Sequence, residues 1–148
     1  MKVIDTYNAM VGAVVAVLSY VLGPHWFLFA LFLGLNIIDW LTGWIKAKIT
    51  GSESSKTGLI GILKKFAYWM VVIASFSLSA AFVEVGKIID MNLGVTTLLG
   101  WFVLASFLVN EGRSICENFV EMGVEVPKVL VKGLQVANKV VNQEDDNE

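Results

Sequence analysis

The sequence predicts an all-α integral membrane protein, with four transmembrane helices and a C-terminal amphipathic helix. Three observations carry that class. The 148 residues are 56% hydrophobic, above the apolar share of ordinary soluble domains, and the mean hydropathy is +0.70. The apolar residues gather into four runs with short polar joints between them. Fixed charge is concentrated in one joint and in the C-terminal third.

The first run covers about residues 6–22. Its start, TYN, is polar, which makes it marginal against the ~20 residues a crossing needs. It either spans or lies in the interface, and the second case leaves three spans. Lys2 and the short apolar core give it a superficial likeness to a signal peptide. More apolar sequence follows, with no small-residue cleavage site before a polar region, so the segment is read as retained. Gly23-Pro24-His25 leaves room only for a tight turn into the second run, residues 26–44, and the two together read as a helical hairpin.

The third run is FAYWMVVIASFSLSAAFV, residues 66–83. Ala74, Ser75, Ser77, Ser79, Ala80 and Ala81 give it a small-residue content suited to close helix approach. The fourth run, LGVTTLLGWFVLASFLV, covers residues 93–109. Trp26, Trp40, Trp44, Tyr68 and Trp69 lie toward the ends of the runs, where aromatic side chains favour the headgroup layer. Residues 1–110 therefore form the transmembrane region.

Residues 111–142 read as a helical segment outside the membrane. Glu111, Ser114, Asn118 and Glu121 recur at helical spacing as one polar stripe on a continuation of the fourth helix. Gly123 suits a helix stop and Pro127 the first turn of the next helix. In that helix Leu130, Leu134, Ala137 and Val141 form an apolar stripe, and Lys128, Lys132 and Lys139 supply positive charge. Such a helix suits the inner leaflet or a neighbouring surface. The end, residues 143–148, is acidic and reads as disordered.

Orientation follows from charge. Between the second and third runs lie Lys46, Lys48, Lys56, Lys64 and Lys65 against one acid, Glu53; between the third and fourth lie Glu84, Lys87 and Asp90. Lysine and arginine concentrate on the cytoplasmic side, so the 45–65 loop is expected there. Four spans then put both termini in the cytoplasm.

One carboxylate interrupts this plan. Asp39 closes the apolar run WFLFALFLGLNII. Asn36, Asp39, Thr42 and Gly43 share one helix face, and an ionisable group at the centre of a span costs on the order of 2.5–3.5 kcal/mol. Either Asp39 pairs with a lysine of the basic loop, or the face lines a helix contact or a hydrated lumen in an oligomer.

Other chemistry finds little material. One cysteine, Cys116, and one histidine, His25, exclude a disulfide or a cysteine metal cluster within the chain. No catalytic, metal-ligating or cofactor-binding constellation is visible, and no phosphate-loop, dinucleotide or zinc-protease motif occurs. The net charge of -2 argues against nucleic acid as a partner.

Four pieces of sequence carry a family resemblance: DWLTGWIKA at 39–47, SSKTGLIGILKK at 54–65, EGRSICEN at 111–118 and GVEVP at 123–127. In order and spacing they resemble the small holins of phage lysis and toxin secretion, and Glu111, Ser114, Glu117, Asn118 and Pro127 fall in the C-terminal pieces. The resemblance implies a protein that assembles with itself in the host cytoplasmic membrane, among lipid. There it opens lesions through which a cytoplasmic endolysin reaches the wall, a functional link without direct binding. No cofactor is implied. The residues alone also allow a small channel or transporter subunit, or a membrane scaffold that recruits a partner through its C-terminal segment.

Overall fold

The computed structural model describes residues 2–142; the acidic tail expected at 143–148 lies outside them. The described residues are α-helical apart from short joints, with no strand. The helices are α1 (Lys2–Leu22), α2 (Trp26–Thr50), α3 (Ser55–Ile88), α4 (Leu98–Glu121), entered through a 3-10 turn at Gly94–Thr97, and α5 (Lys128–Asn142). Among the described residues, three stretches are long and apolar enough to cross a membrane: α2, α3, and α4 together with its 3-10 turn.

The chain divides into two compact units, residues 1–34 and 35–148. The first holds α1 and the start of α2. Gly23, at φ 75°, makes the turn between them, and its carbonyl accepts from the Trp26 amide at 3.2 Å.

The second unit carries the rest of α2 with α3, α4 and α5. α2 ends at Gly51, whose φ of 65° lets the Ser52 amide reach back to the Ala47 carbonyl at 3.0 Å. α4 ends in the same way at Gly123, with Val124 donating to Phe119 at 2.9 Å. A left-handed residue closing a helix by this back-bond is a common stop. Pro127 precedes α5, and its carbonyl accepts the first helical bonds, from Leu130 and Val131.

The basic joint is much shorter than expected. The 45–65 loop contracts to residues 51–54, because α2 runs on to Thr50 and α3 begins at Ser55, well before residue 66. Ser54 caps α3 by accepting from the Thr57 amide. Lysine is a good helix former, so a run of lysines ends hydrophobicity without ending the helix. Lys46 and Lys48 therefore lie in the last turns of α2, and Lys56, Lys64 and Lys65 in the first turns of α3.

α3 and α4 pack through aromatic and small side chains. Tyr68 stacks on Phe107 at 4.5 Å between centroids, and Phe76 meets Trp101 edge-on at 5.0 Å. Val72 and Leu104 are fully buried, and Ser75 and Ser79 are buried beside them. Both serines return their hydroxyls to the helix, bonding the Val71 and Ser75 carbonyls at 2.8 Å. Of the small residues in this run, Ser75 and Ser79 are buried, while Ala74, Ser77, Ala80 and Ala81 are exposed. α5 lies against α4, with Leu134 over Gly112.

The distribution of polarity is that of a membrane protein. The buried residues include Asn36, Thr42, Ser75, Ser79, Glu111 and Asn118, whereas Leu33, Ile37, Trp40, Trp44, Phe66, Met70, Ile73 and Phe102 are exposed. Water would penalise that surface by about 25 cal/mol per Å² of apolar area; hydrocarbon does not.

Candidate functional site

The polar face of α2 meets the polar stripe of α4, and α3 inserts a lysine between them. Asn118 on α4 donates from Nδ2 to Asp39 Oδ1 at 3.0 Å and to Thr42 Oγ1 at 3.1 Å. Thr42 donates in turn to the Asp39 backbone carbonyl at 3.1 Å. Gly43 lies beside this amide: a Cβ there would meet Asn118 Nδ2 at 3.6 Å, an ordinary van der Waals contact. Asn36, one turn earlier, is buried.

Lys65 completes the cluster. Its ammonium lies 2.8 Å from Asp39 Oδ2 and also donates to Glu111 Oε2. Both carboxylate oxygens of Asp39 are thus engaged, one by Asn118 and one by Lys65. The side chain of Glu111 is 2% exposed, and those of Lys65 and Asp39 are 16% and 14% exposed. A buried charge is tolerated only when paired and hydrogen-bonded, and each of these three is. With its groups in their ordinary ionised forms the cluster holds two carboxylates and one ammonium.

The three charges sit at a common level. At 1.5 Å per residue, Asp39 lies about 16 Å from the Thr50 end of α2, Lys65 about 15 Å from the Ser55 end of α3, and Glu111 about 15 Å from the Glu121 end of α4. A second, wetter pair lies nearer those ends: Lys46 to Glu121 at 3.3 Å, with the two side chains 25% and 59% exposed. Lys48 lies over the Trp44 ring at 4.2 Å. Arg113 pairs with Glu117 on the exposed side of α4 at 2.9 Å, Ser114 is half-buried, and Lys56 and Lys64 are exposed.

The candidate residues therefore separate. Asp39, Thr42, Gly43, Glu111 and Asn118 come together with Lys65, Asn36 is buried one turn earlier on α2, and Glu117 and Pro127 stay outside the cluster. What sequence reasoning missed is that Lys65 joins both carboxylates. A signal was present: Lys65, Tyr68, Val72, Ser75 and Ser79 recur at helical spacing, so α3's packing face runs straight back to Lys65.

No grouping of His, Cys, Asp and Glu among the described residues could hold a metal ion. The chemistry of the cluster is that of buried polar contacts joining three helices.

Apolar outward faces on crossing helices joined by buried polar contacts define an integral membrane protein. Comparison with known sequences narrows the class: the chain belongs to the bacteriophage holin family, which it matches over residues 16–139. It is 33% identical over 106 residues to a protein of Bacillus phage phi105 named Probable holin, covering 72% of this chain and 70% of that one. It is also 31% identical over 121 residues to an uncharacterized protein of Halalkalibacterium halodurans, covering 82% of this chain and 85% of the relative. An uncharacterized protein of Listeria innocua is 33% identical over 115 residues, covering 78% of this chain and 74% of the relative. No solved structure matches the chain. The family is one of membrane proteins and not of enzymes, so the chain is not an enzyme.

Proposed function

We propose that the chain is a holin that assembles with itself in the host cytoplasmic membrane and opens lesions large enough to pass an endolysin. In this reading α1 to α4 cross the membrane, the joint at residues 51–54 faces the cytoplasm, and both termini lie there too. The endolysin depends on the lesion and needs no contact with the chain. The observation that carries the reading is the pairing of a buried polar face with an apolar exterior, in a chain of this family. The exterior suits lipid and helix–helix contact, and the polar face is of the kind that can wall an aqueous opening.

Induced expression in bacteria tests it. Expression together with a cytoplasmic endolysin that has no export signal should give abrupt lysis after a delay. The endolysin without the chain should leave the cells intact. Survival of cells that hold both proteins, with the chain present in the membrane fraction, contradicts the reading.

A further inference from the structure

The polar atoms that could wall an opening are engaged with one another. Asp39 spends one carboxylate oxygen on Asn118 and the other on Lys65. Thr42 is bonded to Asn118, and Glu111 is buried against Lys65. The outward faces of the same helices are apolar: Ile37, Trp40 and Trp44 on α2, Phe66 and Met70 on α3, Phe102 on α4. In this arrangement the polar faces of α2 and α4 are turned onto each other and not toward water.

Lys65 is the shared member of these contacts. It comes from α3 and bridges a carboxylate on α2 to a carboxylate on α4, as the single cation in the cluster. Among the described residues no second cation stands in its place: Lys46 is paired with Glu121 nearer the helix ends, and Arg113 with Glu117 on the exposed side of α4. Moving Lys65 away leaves two carboxylates facing each other in a low-dielectric interior. Like charges there repel strongly, and separation of α2 from α4 into water relieves them.

We propose that Lys65 is a clamp that holds the chain closed, and that loss of its bridge to Asp39 and Glu111 turns the Asn36–Asp39–Thr42 and Glu111–Asn118 faces toward water and sets the moment of lesion opening. The clamp rests on the lesion reading above and adds the residue that times it. While the bridge holds, copies accumulate in a lipid-compatible form. Once it breaks, the same side chains become the polar wall.

The test is lysis timing in cells that co-express the endolysin, with membrane amounts matched by immunoblot. Lys65→Glu should shorten the delay to about half or less, because breaking a buried pair by removing one partner is strongly destabilising. The swap Lys65→Glu with Glu111→Lys keeps two acids and one base and should restore the wild-type delay. An unchanged or longer delay for Lys65→Glu overturns the clamp, and so does an early onset that the swap fails to restore. Should Lys65→Glu fail to accumulate, Thr42→Cys in a Cys116→Ser background decides, timed against its own lysis onset. Position 42 should resist a small water-soluble thiol reagent before onset and react after it; protection that persists after onset overturns the clamp. If the wild-type chain gives no lysis with the endolysin, the lesion reading itself fails. Wild-type lysis with unaltered timing in Lys65→Glu removes only the clamp.

Discussion

Lys65, Asp39 and Glu111 are not equivalent, although all three belong to one cluster. Removing either acid leaves Lys65 with one carboxylate, a neutral pair. Removing Lys65 leaves two acids and no base. Lys65→Leu should therefore destabilise the purified protein in detergent more than Asp39→Leu or Glu111→Leu, by about 3–5 kcal/mol against smaller losses for the acids. Equal losses on denaturant titration would mean that the cluster is solvated and the pairing of little consequence. Asn118 allows a finer comparison. Asn118→Ala removes interhelical hydrogen bonds worth about 1–2 kcal/mol at most in such surroundings. Asn118→Asp adds a negative charge beside Asp39 and should cost more than the alanine. At this scale the sequence was half legible. The spacing of Asn36, Asp39, Thr42 and Gly43 marked one face of α2, and that of Glu111, Ser114 and Asn118 one face of α4. Neither pattern says that the two faces meet, because the bonds join residues 76 to 79 positions apart.

Helices α3 and α4 approach closely at Gly100. A Cβ placed there would stand 2.6 Å from Phe76 Cδ1, and the Phe76 ring is held against Trp101. Gly100→Ala should lower the thermal unfolding midpoint in detergent, with a cost of about 1–3 kcal/mol for forced repacking. Pairing it with Phe76→Leu should recover part of that loss. Gly58 is the contrast: it lies in the first turns of α3 with nothing within 4 Å of an added Cβ. Gly58→Ala should be neutral or stabilising by roughly 0.5–1 kcal/mol. A loss at Gly58 as large as that at Gly100 would contradict this packing. Element existence was well marked in the sequence by the apolar runs. The start of α3 was not, because hydropathy falls at Lys64 and Lys65 while helicity continues back to the Ser54 cap. The stops at Gly23 and Gly123 were marked by a residue type that takes positive φ without strain; the left-handed stop at Asp90, φ 56°, was not.

For the whole molecule, the proposed orientation and the proposed lesion make separate predictions. With the joint at residues 51–54 in the cytoplasm, a single cysteine placed there in a Cys116→Ser background should escape a membrane-impermeant thiol reagent added to intact cells before lysis onset. Strong labelling at that stage would reverse the orientation without touching the lesion. The lesion itself is tested most directly by the size of what passes. Cells that express the chain without endolysin, and carry a folded, endolysin-sized fluorescent protein directed to neither membrane nor export, are followed for membrane potential and reporter release. Cells are made into wall-less spheroplasts beforehand, so that the wall does not retain the reporter. A lesion-forming holin gives a delay with potential intact, then a sudden loss of potential accompanied by release of the protein reporter. Loss of potential with passage of ions or small dyes alone, the protein reporter being fully retained, would contradict it and assign the chain to the small-channel class.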